Sequence, residues 1–596
     1  MDSVPAKLSH LSMLLISSLC LLRFDQALSA QGDSERESRR ARQAHQAKAS
    51  LVLEQVVQDA QTLKLPQNRI QIQALVASLL WKQDEARARS LFADAFQLLA
   101  EVTRTVGVDD PERSYLISEL SILRENLVRL VSARDSLLAL DGLNASRWPV
   151  STNRRPNQYQ IDSETRLESV VALEAAVRDP GLAGRIARGG LEKGLTYEAI
   201  NVLGSLLTQA PQEGVALANE LLGKIRSSDL GKDLTAINVA MNLLEMMPRC
   251  LPETAPLQSG GPATSPAFFP GEPVFREVLD LMINAAMQLP ANRGGLNCTE
   301  QNIAESIVSN MRSLMKKVEQ FAPGRLGPLQ EKIAQFKEIL DPDARAWMEQ
   351  RALMQPGTVE DLLRLASNAP PELKDNFFRD AALKAANSGD YSRARRIADE
   401  RIADPYQRRA LVNELDKNSV LNSSGPDKVV RALELLPQLR SDEDRVMFLT
   451  QLASSFSDQQ RINALELLSK ARQLVPQRAK DPSQMNAQIQ LAEAYLRFEP
   501  QASFEILERL ISRLNELFNA AAVLEGFGGH RQFQDGEALI SSSNLLTSYV
   551  EQCGSALGVL AEQDFEQAID ITRQLERTEL RLKAQLPILQ GVLRSY

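Results

Sequence analysis

The chain has 596 residues, too many for one compact core, so it must divide into roughly three to five domains or form one long repeat array. Aromatic residues make up only 5% of it, and runs that alternate β-branched with polar side chains are scarce, which argues against an ordinary sheet-containing enzyme. With 68 Lys and Arg against 76 Asp and Glu, a formal net charge of -8 gives no electrostatic ground for binding nucleic acid or an anionic membrane.

Residues 1–30 have the three parts of a secretory signal peptide: Lys7 and His10 in front, an apolar run from Leu11 to Leu22, and the small residues Ala27, Ser29 and Ala30 ahead of a cut after Ala30. That run is too short to cross a hydrocarbon core of ~30 Å as a stable helix. An extracytoplasmic location, secreted or periplasmic, is therefore expected, with no membrane span after signal removal. A short membrane-associated helix stays open as an alternative, because Arg23 and Asp25 sit unusually close to the cut. Cys20 invites lipid attachment, but Leu19 before it is bulkier than the usual small residue. In an oxidising compartment two of the remaining cysteines, Cys250, Cys298 and Cys553, ought to be bonded. Cys250 and Cys298 bracket a Pro/Gly-rich stretch and are the expected pair, while Cys553 falls in a helical pattern.

The N-terminal helical region spans 31–140. Gln31 to Lys48 is polar with mixed charges and reads as a solvated tail rather than a polybasic segment. Leu53, Val56, Val57, Ala60 and Leu63, then Leu75, Leu79 and Leu80, recur at helical spacing on either side of a turn at Pro66. Asp109, Asp110 and Pro111 open a further helix. Periodicity lapses over 141–165, where Gly142, Trp148, Pro149 and Pro156 mark a linker, and helical repeats fill 166–247. The next segment, 248–300, holds seven prolines between Pro248 and Pro273 and is expected to be an irregular insertion with one short helix, Val274 to Leu289. Across 301–356 two amphipathic helices return, one carrying Ile303, Ile307, Met311, Leu314, Val318 and Phe321 and the other Leu329, Ile333, Phe336 and Leu340.

The clearest repeat lies in 357–596. Gly389, Asp390 and Tyr391 separate an Ala-rich helix (Ala381, Ala382, Ala385) from one carrying Ala394, Ile397 and Ile402. This segment resembles a tetratricopeptide repeat (TPR), whose two antiparallel helices join at a tight turn. Small residues at positions like Ala382 and Ala394 let helices approach closely, and a turn that needs positive φ favours glycine. From Ala394, similar positions follow at Ala432, Ala464, Ala502, Ala538 and Ala568, with intervals of 38, 32, 38, 36 and 30 residues. The family's period is about 34. Earlier echoes occur at Ala88, after Trp81 and Asp84, and at Gly194 to Ala199. The sequence departs from the pattern in lacking most of the family's aromatic and proline positions. The resemblance implies an all-α, right-handed α-solenoid of stacked antiparallel helix pairs, interrupted by the Pro/Gly-rich insertion.

An arginine recurs just past several second helices, at Arg69, Arg408, Arg445 and Arg577. A helix-junction hydrogen bond or ion pair is the expected role, with a row of groove donors as the alternative.

Chemistry-bearing patterns are sparse. After signal removal only His45 and His530 remain, and no H-E-x-x-H, phosphate-binding loop or G-x-S-x-G occurs. Gly526, Gly528 and Gly529 read as a helix-pair turn. No catalytic, metal or cofactor residue is assigned and no enzyme activity is expected. The expected function is binding of a protein or peptide on the concave face of the solenoid, with no nucleic-acid partner. The resemblance places groove residues on the first helix of a pair, at Asn376, Arg379 and Lys384. Two other readings stand beside it. One is an extracytoplasmic enzyme acting on polysaccharide or cell-wall material, which would show two close carboxylates, one with a raised pKa. The other is a structural spacer in an envelope assembly.

Overall fold

The computed structural model describes residues 44–105, 113–148, 158–246, 271–289, 298–339, 358–369, 371–423, 427–528, 532–541 and 544–594. The expected signal peptide, the Cys250–Cys298 pairing and Pro248 to Pro270 lie outside them. Among the described residues, the helices in chain order begin with α1 (residues 44–62), α2 (Pro66–Leu80), α3 (Glu85–Thr105), α4 (Arg113–Ser132), α5 (Ser136–Ala145), α6 (Gln158–Arg178), α7 (Pro180–Lys193), α8 (Glu198–Gln209), α9 (Pro211–Ser227) and α10 (Leu234–Met246). They continue with α11 (Gly271–Met287), α12 (Cys298–Phe321), α13 (Pro323–Ile339), α14 (Val359–Asn368), α15 (Pro371–Asn387), α16 (Tyr391–Arg401), α17 (Pro405–Asn422), α18 (Lys428–Leu435), α19 (Asp442–Ser454) and α20 (Arg461–Leu474). The last are α21 (Pro482–Phe498), α22 (Pro500–Gly528), α23 (Leu545–Leu560), α24 (Phe565–Arg573) and α25 (Thr578–Arg594). One hairpin, β1 (Phe533–Gln534) with β2 (Glu537–Ala538), interrupts the series.

Two sequence devices set the helix starts. Asp179-Pro180, Asp404-Pro405 and Asp481-Pro482 each place an aspartate at the N-cap and a proline in the first turn. The carboxylate accepts a free backbone N–H, and proline has none to leave unsatisfied. The second device is an N-cap aspartate followed four residues later by a buried alanine. Asp135, Asp390 and Asp564 cap α5, α16 and α24 in this way, and Ala139, Ala394 and Ala568 are fully buried. Asp84 and Ala88 repeat the arrangement at the start of α3, where the Asp84 carboxylate accepts from the Arg87 N–H at 3.0 Å.

The chain divides into two compact units. One is residues 89–475. Within it several helices pack both on the next and on the next but one: α6 on α7 and α8, α7 on α8 and α9, α10 on α11 and α12, α15 on α16 and α17, α17 on α18 and α19. This is solenoid-like stacking of helices, with one side chain layer shared between successive hairpins. Polar ties reinforce it. Arg124 of α4 is 3% exposed at its side chain and forks onto Glu164 of α6 at 2.6 and 2.9 Å. It also donates to Ser146 Oγ at 3.0 Å and Leu143 O at 2.8 Å. Arg147 and Lys193 both pair with Glu168 one turn further along α6. Inside the expected linker, α5 runs on to Ala145 and α6 has begun by Gln158. The helix expected from Val274 begins earlier, at Gly271, because Pro273 falls in a first turn where proline is tolerated.

The second unit joins residues 1–88 to 476–596. Here α21 packs on α22 and α23, α22 on α24, α23 on α24 and α25, and α2 lies on α25. Helix α1 reaches the same layer: the His45 ring stacks against Phe565, Lys48 pairs with Glu566, and Asp59 meets Arg581 at 3.9 Å. The hairpin is the junction. Glu537 accepts hydrogen bonds from Lys64 N at 2.7 Å, Leu65 N at 3.1 Å and Asn68 Nδ2 at 3.2 Å. Asn68 also donates to Ala538 O at 2.9 Å and accepts from Ile540 N at 3.0 Å, so a side chain of α2 completes the edge of β2. From the other side Glu579 accepts from Ala538 N, and Lys583 and Arg577 donate to Ile540 O and Gly536 O.

Of the repeat positions, Ala394, Ala432, Ala464, Ala502 and Ala568 sit buried in second helices. Ala538 does not: it is in β2, on the connection between α22 and α23. Of the turn expected at Gly526, Gly528 and Gly529, the first two lie within α22, which continues through Gly528, and Gly529 lies outside the described residues.

Candidate interaction surface

Helix α15 faces a core made by α14, α16 and α17, into which it sends Phe377, Ala381, Ala382 and Ala385 against Leu362, Ala394, Ile397 and Leu411. The α15 side away from that core carries the sequence-predicted groove residues Asn376 and Arg379, both exposed, while Lys384 is half-buried. Between them Asp380 is half-buried, and burial pushes its carboxyl above the usual range against the opposing pull of Arg379. Asp375, one turn earlier, accepts from Ala403 N and Asp404 N at 2.9 Å each, which fixes α15 to the connection between α16 and α17. Arg395 of α16 pairs with Asp416 of α17, so these two helices are tied by a charged contact as well as by packing.

The turn between α15 and α16 opens a pocket of about 580 Å³. Gly389 turns the chain at φ +88°, a left-handed conformation that a Cβ would strain. Tyr391 follows, and its hydroxyl accepts from Asn422 Nδ2 at 2.7 Å. Ala386 and Asn387 line one wall from the end of α15; Ser419 and Asn422 line the other from the end of α17. Beside it, Lys428 donates to Leu421 O at 2.7 Å and to Ser455 Oγ at 3.1 Å, and burial lowers its pKa from the ordinary lysine value. Sequence reading singled out Gly389 and Tyr391 as turn residues, and missed the pocket because its far wall comes from a helix some 30 residues on.

Of the recurrent arginines, Arg408 and Arg445 serve helix junctions, while the Arg69 Nε is buried without a hydrogen-bond partner. Arg408 Nε donates to Ile402 O at 3.0 Å, and Arg445 donates to Leu436 O at 3.1 Å while pairing with Asp442 at 2.7 Å. Ile402 is the C-cap of α16, and Leu436, just past α18, also accepts from Leu439 N at 3.1 Å, so each arginine ties the end of one helix to the first turns of the next. Arg577 uses Gly536 O of the hairpin instead.

Two close carboxylates with one raised pKa do occur, at Glu537 and Glu579. Burial pushes the Glu579 carboxyl up, and the neighbouring Glu537 adds to the shift. Both hold backbone amides of the hairpin junction, which is a structural use of the pair. Among the described residues no group of three or more His, Cys, Asp and Glu side chains is placed to hold a metal ion. No described helix is long and apolar enough to cross a membrane.

No protein-family model matches the sequence. No curated protein matches it either. Among solved structures, a crystal structure of importin beta is 11% identical with a TM-score of 0.21, covering 88% of this chain and 84% of that one. A circular tandem repeat protein with novel repeat topology is 12% identical with a TM-score of 0.15, covering 92% of this chain and 99% of that one. Superpositions this poor carry no argument about function. The repeated-helix character stands on the packing described above.

Proposed function

We propose that this chain is an exported interaction module whose stacked helices hold an extended segment of a protein or peptide partner, with no catalysis of its own. The observation that carries the reading is α15: one face is locked into a four-helix core, the other leaves Asn376 and Arg379 in solvent, and the helix ends at a pocket lined by Ala386 and Asn387. Successive helix pairs of this kind generate long surfaces suited to extended partners. The fixed Gly389-Asp390-Tyr391 turn and the buried Ala382 and Ala394 support a TPR-like geometry for the pair α15–α16. The apolar run from Leu11 to Leu22 supports export.

The test uses the full chain as bait against the extracytoplasmic fraction of its own source, in parallel with an Asn376→Ala, Arg379→Ala, Lys384→Ala variant. A protein retained by the native chain and lost by the variant supports the reading. Equal retention by both, or recovery of the bait alone, refutes it.

A further inference from the structure

We propose that α1 and α2 form a strap, closed over the C-terminal helices and able to open as one piece while those helices stay folded. The device belongs to the unit of residues 1–88 and 476–596 and does not depend on the α15 surface.

The strap is seated deeply but fitted unevenly. No residue of α2 is exposed, and Ile70, Ile72, Val76 and Ala77 are at most 1% exposed. Polar side chains are buried along with them. Gln67 is 6% exposed and Gln73 9%, and the Oε1 of each has no hydrogen-bond partner. Gln71 Oε1 and Arg69 Nε on the same helix are also buried without one, as is Arg577 Nε beside the hairpin that receives α2. A buried donor or acceptor left unpaired forfeits the hydrogen bond it makes to water once exposed, so each of these atoms favours the open state.

The fastening is concentrated at one point. Asn68 bonds Ala538 O and Ile540 N, and Glu537 holds Lys64 N, Leu65 N and Asn68 Nδ2. Elsewhere Lys48 with Glu566 and Glu54 with Arg87 are solvent-exposed pairs, which add little. Packing among the C-terminal helices is closer: α23 meets the backbone of α25 at Gly554 and Gly558, and Val550, Leu557, Leu580 and Ile588 of that layer are fully buried. Helices α21 to α25 are also consecutive in sequence, so their contacts survive without the strap, whereas Asn68 reaches Ala538 across 470 residues. Opening bares the outer edge of β2, at Ala538 O and Ile540 N, and the side of α25 on which α2 lies.

Native-state hydrogen exchange of the full chain, read by mass spectrometry in urea below the unfolding midpoint, tests the strap. Peptides from 44–80 should exchange together and at least about tenfold faster than peptides from 482–528 and 545–594. Ile489→Val, at a buried position of α21, weakens the closed chain and the strap-open chain alike, so it should speed the C-terminal peptides about fivefold and leave 44–80 unchanged. Gln67→Met combined with Gln73→Met removes two unpaired acceptors at nearly constant volume and should slow exchange of 44–80 about tenfold. Circular dichroism establishes that both variants fold. Equal acceleration of 44–80 and 545–594 by Ile489→Val would show that the strap opens only with its whole unit and would overturn the proposal. Unchanged exchange of 44–80 in the folded methionine variant would overturn it as well.

Discussion

Substituting alanine for Gly554 probes how closely α23 and α25 approach. A Cβ at Gly554 would lie 2.7 Å from Ala584 O and 3.0 Å from Ala584 Cα, both backbone atoms that no rotamer change can remove. One turn on, Gly558 meets Pro587 O at 2.9 Å in the same sense. To restore ordinary contact distances near 3.5 Å the helices must part by roughly 1 Å. That loosens a layer in which Val550, Leu557, Leu580 and Ile588 are fully buried. Overpacking of this kind costs about 1–3 kcal/mol, and the higher helix propensity of alanine returns up to ~1 kcal/mol. The net expectation is a loss of about 1–2 kcal/mol, confined to the unit built from residues 1–88 and 476–596. Urea titration of the full chain, with amide exchange followed in peptides from 545–594 and from 89–475, reads both size and place. Gly223→Ala on α9 is the control, since nothing lies within 4 Å of its Cβ, and it should stabilise by up to ~1 kcal/mol. A Gly554→Ala chain as stable as the native one would refute the close-packing argument.

Three further outcomes follow from the described contacts. Arg124→Lys keeps the charge but loses the fork to Glu164 and the bonds to Ser146 and Leu143, so the unit of residues 89–475 should lose about 2–4 kcal/mol; an unchanged urea midpoint for that unit would contradict this. Burial raises the Glu579 carboxyl pKa in the folded chain. Its contribution is therefore fully present below the unfolded carboxylate pKa and declines as pH rises through the folded value. Glu579→Gln, which keeps an acceptor for Ala538 N, should flatten that decline, and parallel stability profiles for the two proteins from acid to neutral pH would count against it. Burial pushes the Cys553 thiol up to about 12, with Glu493 contributing. Its peptide should thus remain unlabelled by a thiol reagent at neutral pH until the chain is unfolded, and labelling of the native chain would show that the site opens.

Much of the local architecture was legible in the sequence. The Gly389-Asp390-Tyr391 turn, the alanines at 394, 432 and 464, and the paired amphipathic stretches all report contacts made within some 40 residues, where spacing and small size leave a direct imprint. Ala538 shows the limit. It stands at a plausible interval, yet it belongs to a hairpin, because an alanine buried against Asn68 and Glu579 looks the same in sequence as one buried between helices. The aspartate four residues before a buried alanine, at Asp84, Asp135, Asp390 and Asp564, was a sharper signal than alanine spacing. It ties a capping function to a packing one and so is harder to meet by chance. The pocket at Tyr391 and the grip of α2 on the hairpin left no local trace, since each needs partners brought together by the stacked fold. Asn376, Arg379 and Lys384 were chosen from the family resemblance; the first two are exposed on α15, but exposure alone does not single them out.

The bond from Asn68 to Ala538 closes a span of 470 residues. A ribosome delivers α1 and α2 long before their seat exists, so they must wait with Ile70, Ile72 and Val76 in water. Closing so wide a loop is entropically costly and slow. Maturation of this protein should therefore end with a late docking step that depends on synthesis of the final helix, and a chaperone that shields α1 and α2 during the delay would raise its yield more than one acting on the middle of the chain.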